Sequence, residues 1–475
     1  MSEDIDTTNQ KSTVQLAFSG VMKAYREQGS LSKKDRKKYL KALKKILIKR
    51  QEDFVSAISE DFGGRSSMET KFAEILMLVF SIRHTLQNLD EWMENQSSDT
   101  HWAFWPARLQ VRPQAKGVVG VISPWNYPLK LALTPLAQAI SAGNRVLLKP
   151  SELAPKTSSL VEEIITEIFP ADVVRVVTGG AEVATEFSKL PFHHLFFTGS
   201  YQTGKKIMAA ASQNLTPVTL ELGGKSPALI HPSYSISKAA SRIATGKLLN
   251  AGQTCLAPDY VLCPKDRVGD FVNAITKTIK KTHSKIENNE DYTAIFGPKH
   301  LQRLQSLLTD AEGKGAKIHV INPSQEELMK KMAPTLLTEV SDEMTVMQEE
   351  IFGPILPIVP YTNLDEAIAF INDRPRALAV YYFDNRSKRV RQVLNQTVSG
   401  GVCINDTILQ ISQESVPFGG IGQSGMGRYH GKAGFDTFSH LKTVYYQSRF
   451  SVIPFVLKTP YTKLIRTLVR FLMWR

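Results

Sequence analysis

Cysteine is scarce: Cys255, Cys263 and Cys403 are the only three in 475 residues. An odd, sparse set without metal-type spacing excludes a disulfide framework and points to a reducing, cytoplasmic setting. No stretch reaches the roughly 18 uninterrupted apolar residues that a membrane-spanning helix needs. Met1–Lys11 is polar and acidic, without the basic-then-apolar order of a secretory signal. Internal repeats and low-complexity segments are absent, and so is any aromatic-plus-basic stacking motif for nucleic acid. Acidic residues are missing after Asp436, whereas Lys442, Arg449, Lys458, Lys463, Arg466, Arg470 and Arg475 are all basic.

What is present is ordinary globular material, with 42% apolar and 22% charged residues. The length suggests two or three domains at about 150 residues each. Lys plus Arg exceeds Asp plus Glu by 58 to 45, a net +13, which suits an anionic cofactor, an anionic membrane or a nucleic acid and selects none of them. Residues up to about 95 read as helices. Lys33–Arg50 carries ten basic residues, with Leu40, Leu43 and Leu47 at helical spacing, as in a surface helix with one solvated face. Phe72–Leu89 has the same three- and four-residue spacing. His101–Ala115 alternates instead, as in an exposed ribbon. From Gly117 onward, apolar runs (Gly117–Ile122, Arg145–Leu148, Val173–Val177, His194–Thr198) alternate with helical stretches (Leu129–Ser141, Ser158–Phe169, Gly204–Ser212). That alternation predicts a parallel, doubly wound sheet of nucleotide-binding type. A second α/β stretch runs from about Pro227 to Thr407, and a glycine-rich segment, Phe418–Gly434, leads to the basic tail. In the tail, Ile465, Leu468, Val469 and Leu472 fall at near-helical spacing. They predict a short amphipathic helix that either lies on anionic lipid or packs on its own protein.

Four segments carry chemistry. Gly199-Ser-Tyr-Gln-Thr-Gly204-Lys205-Lys206 nearly fits a phosphate-cradling loop, but Lys206 stands where a magnesium-binding hydroxyl is required. It reads as a strand, a glycine turn and a helix N-terminus that faces a pyrophosphate or merely makes a tight turn. Lys149 and Glu152 end the second strand of the sheet, where such folds bind ligands. They can hold a ribose diol or form a surface ion pair. Cys255, in Asn250-Ala-Gly-Gln-Thr-Cys-Leu-Ala-Pro-Asp259, sits among small and polar residues as a reactive thiol would, while Cys263 and Cys403 lie in apolar, β-like runs. Glu221 is embedded in an apolar run ending in two glycines. If buried, its carboxyl rises toward general-base range; the alternative is a solvent-facing strand residue. Asn126, in Ser-Pro-Trp-Asn-Tyr-Pro, suits an oxyanion donor or a turn.

Taken together, SPWNYPL (123–129), LLKPSE (147–152), FFTGSYQTGK (196–205), LELGGKSP (220–227), NAGQTCLAPDY (250–260), EEIFGP (349–354) and PFGGIGQSGMGRYHGKAGFDTFSH (417–440) resemble the aldehyde dehydrogenase superfamily from about residue 30 to 445. The Cys-Leu-Ala-Pro-Asp-Tyr and Gly-Met-Gly-Arg-Tyr-His-Gly runs are most similar to the class 3 branch of fatty and coniferyl aldehyde dehydrogenases. The resemblance implies a Rossmann-like NAD(P)-binding domain (1–96 and 116–224), an α/β catalytic domain (225–415), oligomerisation or bridging segments (97–115 and 416–448) and a basic tail (449–475). It implies Cys255 as nucleophile, Glu221 as the base for water, and Asn126 with the Cys255 N–H as oxyanion hole. Lys149 and Glu152 would hold the adenosine ribose, Gly199, Ser200 and Gly204 the pyrophosphate path, and Glu350 the nicotinamide ribose beside Phe352 and Trp125. NAD is favoured by Glu152, with NADP left open, and no metal is required. The implied activity is oxidation of an apolar aliphatic or aromatic aldehyde to its acid through a cysteine thioester, in a homodimer whose tail attaches to membranes at most peripherally or caps the site. Two rivals are a relative that passes the thioester to coenzyme A or forms it in reverse, and a non-catalytic basic lipid- or RNA-binding protein. Retention of Cys255, Glu221 and Asn126 weighs against both.

Overall fold

A computed structural model describes residues 12–474 apart from 285, 287, 324–329 and 452. The polar start, Met1–Lys11, and Arg475 lie outside the described residues.

The β-branched runs that the sequence marks as strands build a six-stranded sheet in the order Gly425–Met426, Val218–Glu221, His194–Thr198, Val118–Ile122, Arg145–Lys149, Val174–Val176. All its pairings are parallel except the first. Helices Lys130–Ala142, Pro155–Ile168 and Tyr201–Ser212 cross between the strands. Val118–Ile122, Arg145–Lys149 and His194–Thr198 are buried along their whole length, as expected of strands covered on both faces. The edge strand Gly425–Met426 is a departure from the sequence pattern: the glycine-rich segment does not simply lead to the tail but returns to pair with Val218–Glu221, Gly425 opposite Glu221. Only glycine fits there, because a Cβ on Gly425 would stand 2.3 Å from the Leu220 carbonyl oxygen, at φ 149°.

A seven-stranded sheet follows, ordered Lys317–Val320, Thr335–Thr338, Ile355–Tyr361, Tyr260–Pro264, Pro227–Ile230, Ala379–Phe383, Gly401–Ile404. Its core includes Tyr260, Leu262, Ile358 and Phe383. The first strand is the sole antiparallel member.

The ribbon differs from expectation in two ways. Only Arg108–Ala115 is extended, with Trp102–Phe104 forming a 3₁₀ turn. That strand is also the middle of a three-stranded antiparallel sheet, between Gln96–Ser98 and Ser439–Tyr446. The edges on offer to another chain are therefore these two outer strands.

In the helical N-terminal part, Lys33–Lys49 buries Leu40, Leu43 and Leu47 and leaves most of its lysines in solvent. The helix expected over Phe72–Leu89 opens with a π-helical segment, Thr70–Leu76, before Met77–Trp92. At the other end, Lys463–Met473 is helical, capped by the Thr462 hydroxyl, and buries none of its residues. Among the described residues, no helix is long and apolar enough to cross a membrane.

Candidate active site

A cavity of about 890 Å³ brings together Cys255, Glu221 and Asn126 with Gly199, Ser200, Trp125, Glu350 and Phe352. Lys149, Glu152 and Gly204 are not part of its lining.

Cys255 follows a short 3₁₀ turn, Leu249–Gly252, in which Asn250 and Ala251 adopt left-handed φ of 54° and 51°. Such backbone persists only where its surroundings enforce it, and here two amides do so. Asn250 Nδ2 donates to the carbonyls of Asn126 and Gln253, each at 3.1 Å. Gln253 Nε2 donates to the carbonyls of Asn250 and Ala294, each at 3.0 Å. Asn126 Nδ2 in turn donates to the Gln253 carbonyl at 3.1 Å, which fixes the amide plane and leaves its second hydrogen unassigned. The expected oxyanion donor is thus locked to the loop that carries the sulfur. Asn250 and Gln253 lie within the NAGQTCLAPDY run but carried no expected role; the signal for them is two amide side chains flanking small residues beside the cysteine.

The same unit is held from behind by a buried ion pair absent from the sequence expectations. Arg65 Nη1 donates to Glu74 Oε1 at 2.9 Å and to the Asn126 carbonyl at 3.0 Å. Glu74 Oε2 accepts the N–H groups of Leu129 and Lys130, at 2.8 and 3.0 Å. Glu74 lies in the π-helical turn, a distortion often found at functional sites.

Glu221 ends its strand opposite Thr198. Its side chain is buried and neither carboxylate oxygen has a hydrogen-bond partner. Burial alone pushes its pKa well above the ordinary carboxyl value. The Cys255 thiol is pushed up to about 12, first by burial and then by the charges of Glu350 and Glu221, with Lys130 pulling the other way. Left to these side chains, the sulfur stays protonated at neutral pH.

Glu350 is delivered by a tethered backbone. Lys225 Nζ donates to the Val346 and Glu349 carbonyls at 2.8 and 2.9 Å and pairs with Asp259, while Asp259 Oδ1 accepts the Ile351 N–H at 3.0 Å. Burial, opposed by the Gly224 N–H, brings the Glu350 carboxyl up to about 7, and its Oε1 has no partner. Phe352 meets Trp125 edge-on, with ring centroids 5.5 Å apart, and Trp125 stacks on Phe296 at 4.4 Å.

At the glycine turn, the Gly199 N–H donates to the Glu221 carbonyl at 3.0 Å and the Thr203 N–H to the Ser200 hydroxyl at 3.3 Å. Ser200 is therefore the N-cap of Tyr201–Ser212, and Tyr201 and Gln202 line the cavity at the helix start. Gly204 lies one turn into that helix, outside the cavity lining. It is buried inside that helix, where a Cβ would stand 2.8 Å from Leu222, so it allows the helix to pack closely. Lys149 Nζ donates to Glu152 Oε2 at 2.9 Å; the lysine is buried and the glutamate half-exposed.

A buried Glu350 oxygen without a partner, a lysine–glutamate pair at a strand's carboxyl end and a capped helix start suit a dinucleotide. The chain matches the aldehyde dehydrogenase family over residues 5–444. It is 47% identical over 452 residues to a probable coniferyl aldehyde dehydrogenase of Pseudomonas aeruginosa, covering 95% of this chain and 94% of that one. It is 42% identical over 418 residues to aldehyde dehydrogenase family 3 member A2 of Mus musculus, covering 88% and 85%. A substrate-bound state of Staphylococcus aureus AldH superposes with a TM-score of 0.92 at 38% identity, covering 97% of this chain and 100% of that one.

Proposed function

The chain belongs to the aldehyde dehydrogenase family and oxidises aldehydes with NAD(P), and from that premise we propose that Cys255 is its nucleophile, Asn126 its oxyanion donor and Glu221 its base. The observation that carries this reading is the convergence on one cavity of a thiol, a locked amide and a buried carboxylate with both oxygens free.

The Cys255 thiol gives up its proton to solvent water, and the thiolate Sγ attacks the aldehyde carbon. The resulting alkoxide accepts hydrogen bonds from Asn126 Nδ2 and from the backbone N–H of Cys255. A bound dinucleotide would supply positive charge that favours the thiolate, and an acceptor for the hydride. That leaves a thioester on Cys255. Glu221 then takes a proton from water, the hydroxide displaces the thiolate, and the carboxylic acid departs. Covalent capture divides one hard oxidation into two easier steps. Glu350, Phe352 and Trp125 would hold the nicotinamide end, Lys149 and Glu152 the adenosine ribose, and the turn at Gly199 and Ser200 the pyrophosphate. Glu221 favours water over coenzyme A as the acceptor, since thiol transfer needs no base of this kind.

Within the family, apolar aromatic or aliphatic aldehydes are the substrates we assign, in keeping with the names of the relatives. NAD is assigned as the better cofactor, because the Glu152 carboxylate can accept from a ribose diol and would repel a 2′-phosphate. Steady-state turnover of short, long-chain and aromatic aldehydes, each with NAD and with NADP, tests this. Acid should form without added thiol and faster with NAD; preference for small charged semialdehydes, or a strict need for coenzyme A, would overturn it.

The outer strand Ser439–Tyr446 is largely exposed, and an open edge of that kind is suited to a second copy of the chain. The helix Lys463–Met473 presents Leu464, Leu468 and Leu472 to solvent beside Lys463, Arg466 and Arg470, and none of its residues lines the cavity. We assign it to reversible binding of anionic membrane surfaces by a cytoplasmic dimer. Sedimentation should give the dimer mass, and pelleting with phosphatidylserine vesicles should vanish at high salt. A monomer, or pelleting that resists salt, would refute the corresponding part.

A further inference from the structure

Gln253 precedes the nucleophile by one residue, Thr254; it is fully buried and does not line the cavity. Its amide is nevertheless used completely. The oxygen accepts the Phe296 N–H at 2.8 Å, and the nitrogen donates to the Asn250 and Ala294 carbonyls at 3.0 Å each. A backbone N–H only donates and a carbonyl only accepts, so these three partners also fix which end of the amide is which. Two of the three bonds cross to a segment 41 and 43 residues further along the chain. Residues 294–296 are buried and belong to neither a helix nor a strand, so their backbone groups depend on such partners. Toward the nucleophile, the Gln253 carbonyl accepts from Asn126 Nδ2 and Asn250 Nδ2 at 3.1 Å each.

The segment that Gln253 ties down supports the aromatic wall of the cavity. The Phe296 ring stacks on Trp125 with centroids 4.4 Å apart, and Trp125 meets Phe352 at 5.5 Å. Phe296 is also the N-cap of the helix Gly297–Gly313. From that helix the His300 ring stands 4.7 Å from Trp125, and Arg303 Nη1 donates to the Glu350 carbonyl at 3.3 Å. Trp125, Phe352, His300 and Glu350 line the same cavity as Cys255. One buried amide thus joins the loop that bears the sulfur to the wall that carries Trp125, Phe352 and Glu350.

We infer that Gln253 is a positioning residue: it holds the sulfur and the oxyanion donor in register with the nicotinamide end of the cofactor, and so controls the hydride step. The inference rests on the proposed roles of Cys255 and of the wall, and adds a residue that touches neither substrate nor cofactor. Hydride transfer is the step that needs both sides at once, the carbon held on Cys255 and the nicotinamide held by the wall. A misplacement of about 1 Å can cost about a hundredfold in such a step. The residue type follows from the bonds. Glutamate has no donors for the two carbonyls, asparagine is one methylene short, and methionine has neither the donors nor the acceptor.

The test compares two reactions of the full-length protein. Oxidation of 4-methylbenzaldehyde with NAD needs sulfur and cofactor in register. Hydrolysis of 4-nitrophenyl acetate without cofactor uses the same sulfur but transfers no hydride: the thiolate displaces 4-nitrophenolate, and water then removes the acetyl group. In Gln253→Met the ratio of oxidation to ester hydrolysis should fall at least about tenfold, with the aldehyde KM and the NAD affinity within about threefold of the parent. That variant leaves three buried backbone groups unmet, so a second one carries the decision if it fails to fold. Phe296→Leu keeps every Gln253 bond and removes the stack on Trp125; it should lower the same ratio by about fivefold or more and leave ester hydrolysis within about twofold. Loss of both activities by the same factor, in either variant, would mean support of the loop alone and would overturn the inference. So would a folded Gln253→Met protein that oxidises the aldehyde as fast as the parent. The parent reading is judged on the unaltered protein: absence of aldehyde oxidation there defeats it, whatever the variants do.

Discussion

Replacement of Cys255 by serine should lower aldehyde oxidation by at least about a thousandfold, because it removes a covalent step rather than a binding contact. The surroundings already work against ionisation of the group at this position: burial and the charges of Glu350 and Glu221 raise the thiol to about 12. A serine hydroxyl starts far higher and would be opposed by the same charges. Neither of the other cysteines can stand in, since Cys263 is fully buried in Tyr260–Pro264 and Cys403 lies in Gly401–Ile404, on strands of the seven-stranded sheet. The loop around position 255 is held by Asn250, Gln253 and Asn126, not by the sulfur, so melting should change little. Reduced-cofactor formation measures the loss, and mass spectrometry of the parent protein with aldehyde and NAD should find acylation on the peptide containing Cys255. Retention of more than a few per cent of activity by the serine variant would defeat the assignment.

Much of this site was legible in the sequence because its parts are local. A strand, a turn and a helix start are written in a few consecutive residues, and the parallel sheet follows from alternation along the chain. Glu221 could be suspected because a carboxylate in an apolar run is costly to bury. What escaped was held by distant pairings. The edge strand at Gly425 depends on a partner two hundred residues earlier, and no short-range pattern announces it. Arg65 and Glu74 look like surface charges until the π-helical turn directs Glu74 inward. Gly204 belonged to a glycine pattern that suggested ligand contact, but the spacing does not tell a glycine that clears a phosphate from one that lets two elements pack.

Replacement of Glu221 by glutamine separates chemistry from stability with one variant. The carboxyl can take a proton from water only when ionised, and burial raises its pKa well above the ordinary value. Hydrolysis of the thioester should therefore rise with pH through that elevated value in the parent protein. Glutamine cannot act as the base, so steady-state turnover should drop by about 10²–10⁴-fold and lose this limb of the profile. A rapid burst near one reduced cofactor per site should survive, because acylation precedes the water step; loss of the burst as well would assign Glu221 to thiol activation instead. Stability should move the opposite way. A carboxyl whose pKa is raised by folding binds its proton more tightly in the native state than in the unfolded chain. The fold is then favoured below the unfolded value, near about 4.3, and loses about 1.4 kcal/mol for every pH unit climbed between that value and the folded one. Glutamine carries no such penalty. The melting temperature of Glu221→Gln should match or exceed that of the parent near pH 5 and exceed it by a growing margin toward pH 8. A variant that melts lower at pH 8 would mean that the carboxylate stabilises the fold, and a catalytic base kept unpaired at a cost in stability would no longer describe this residue.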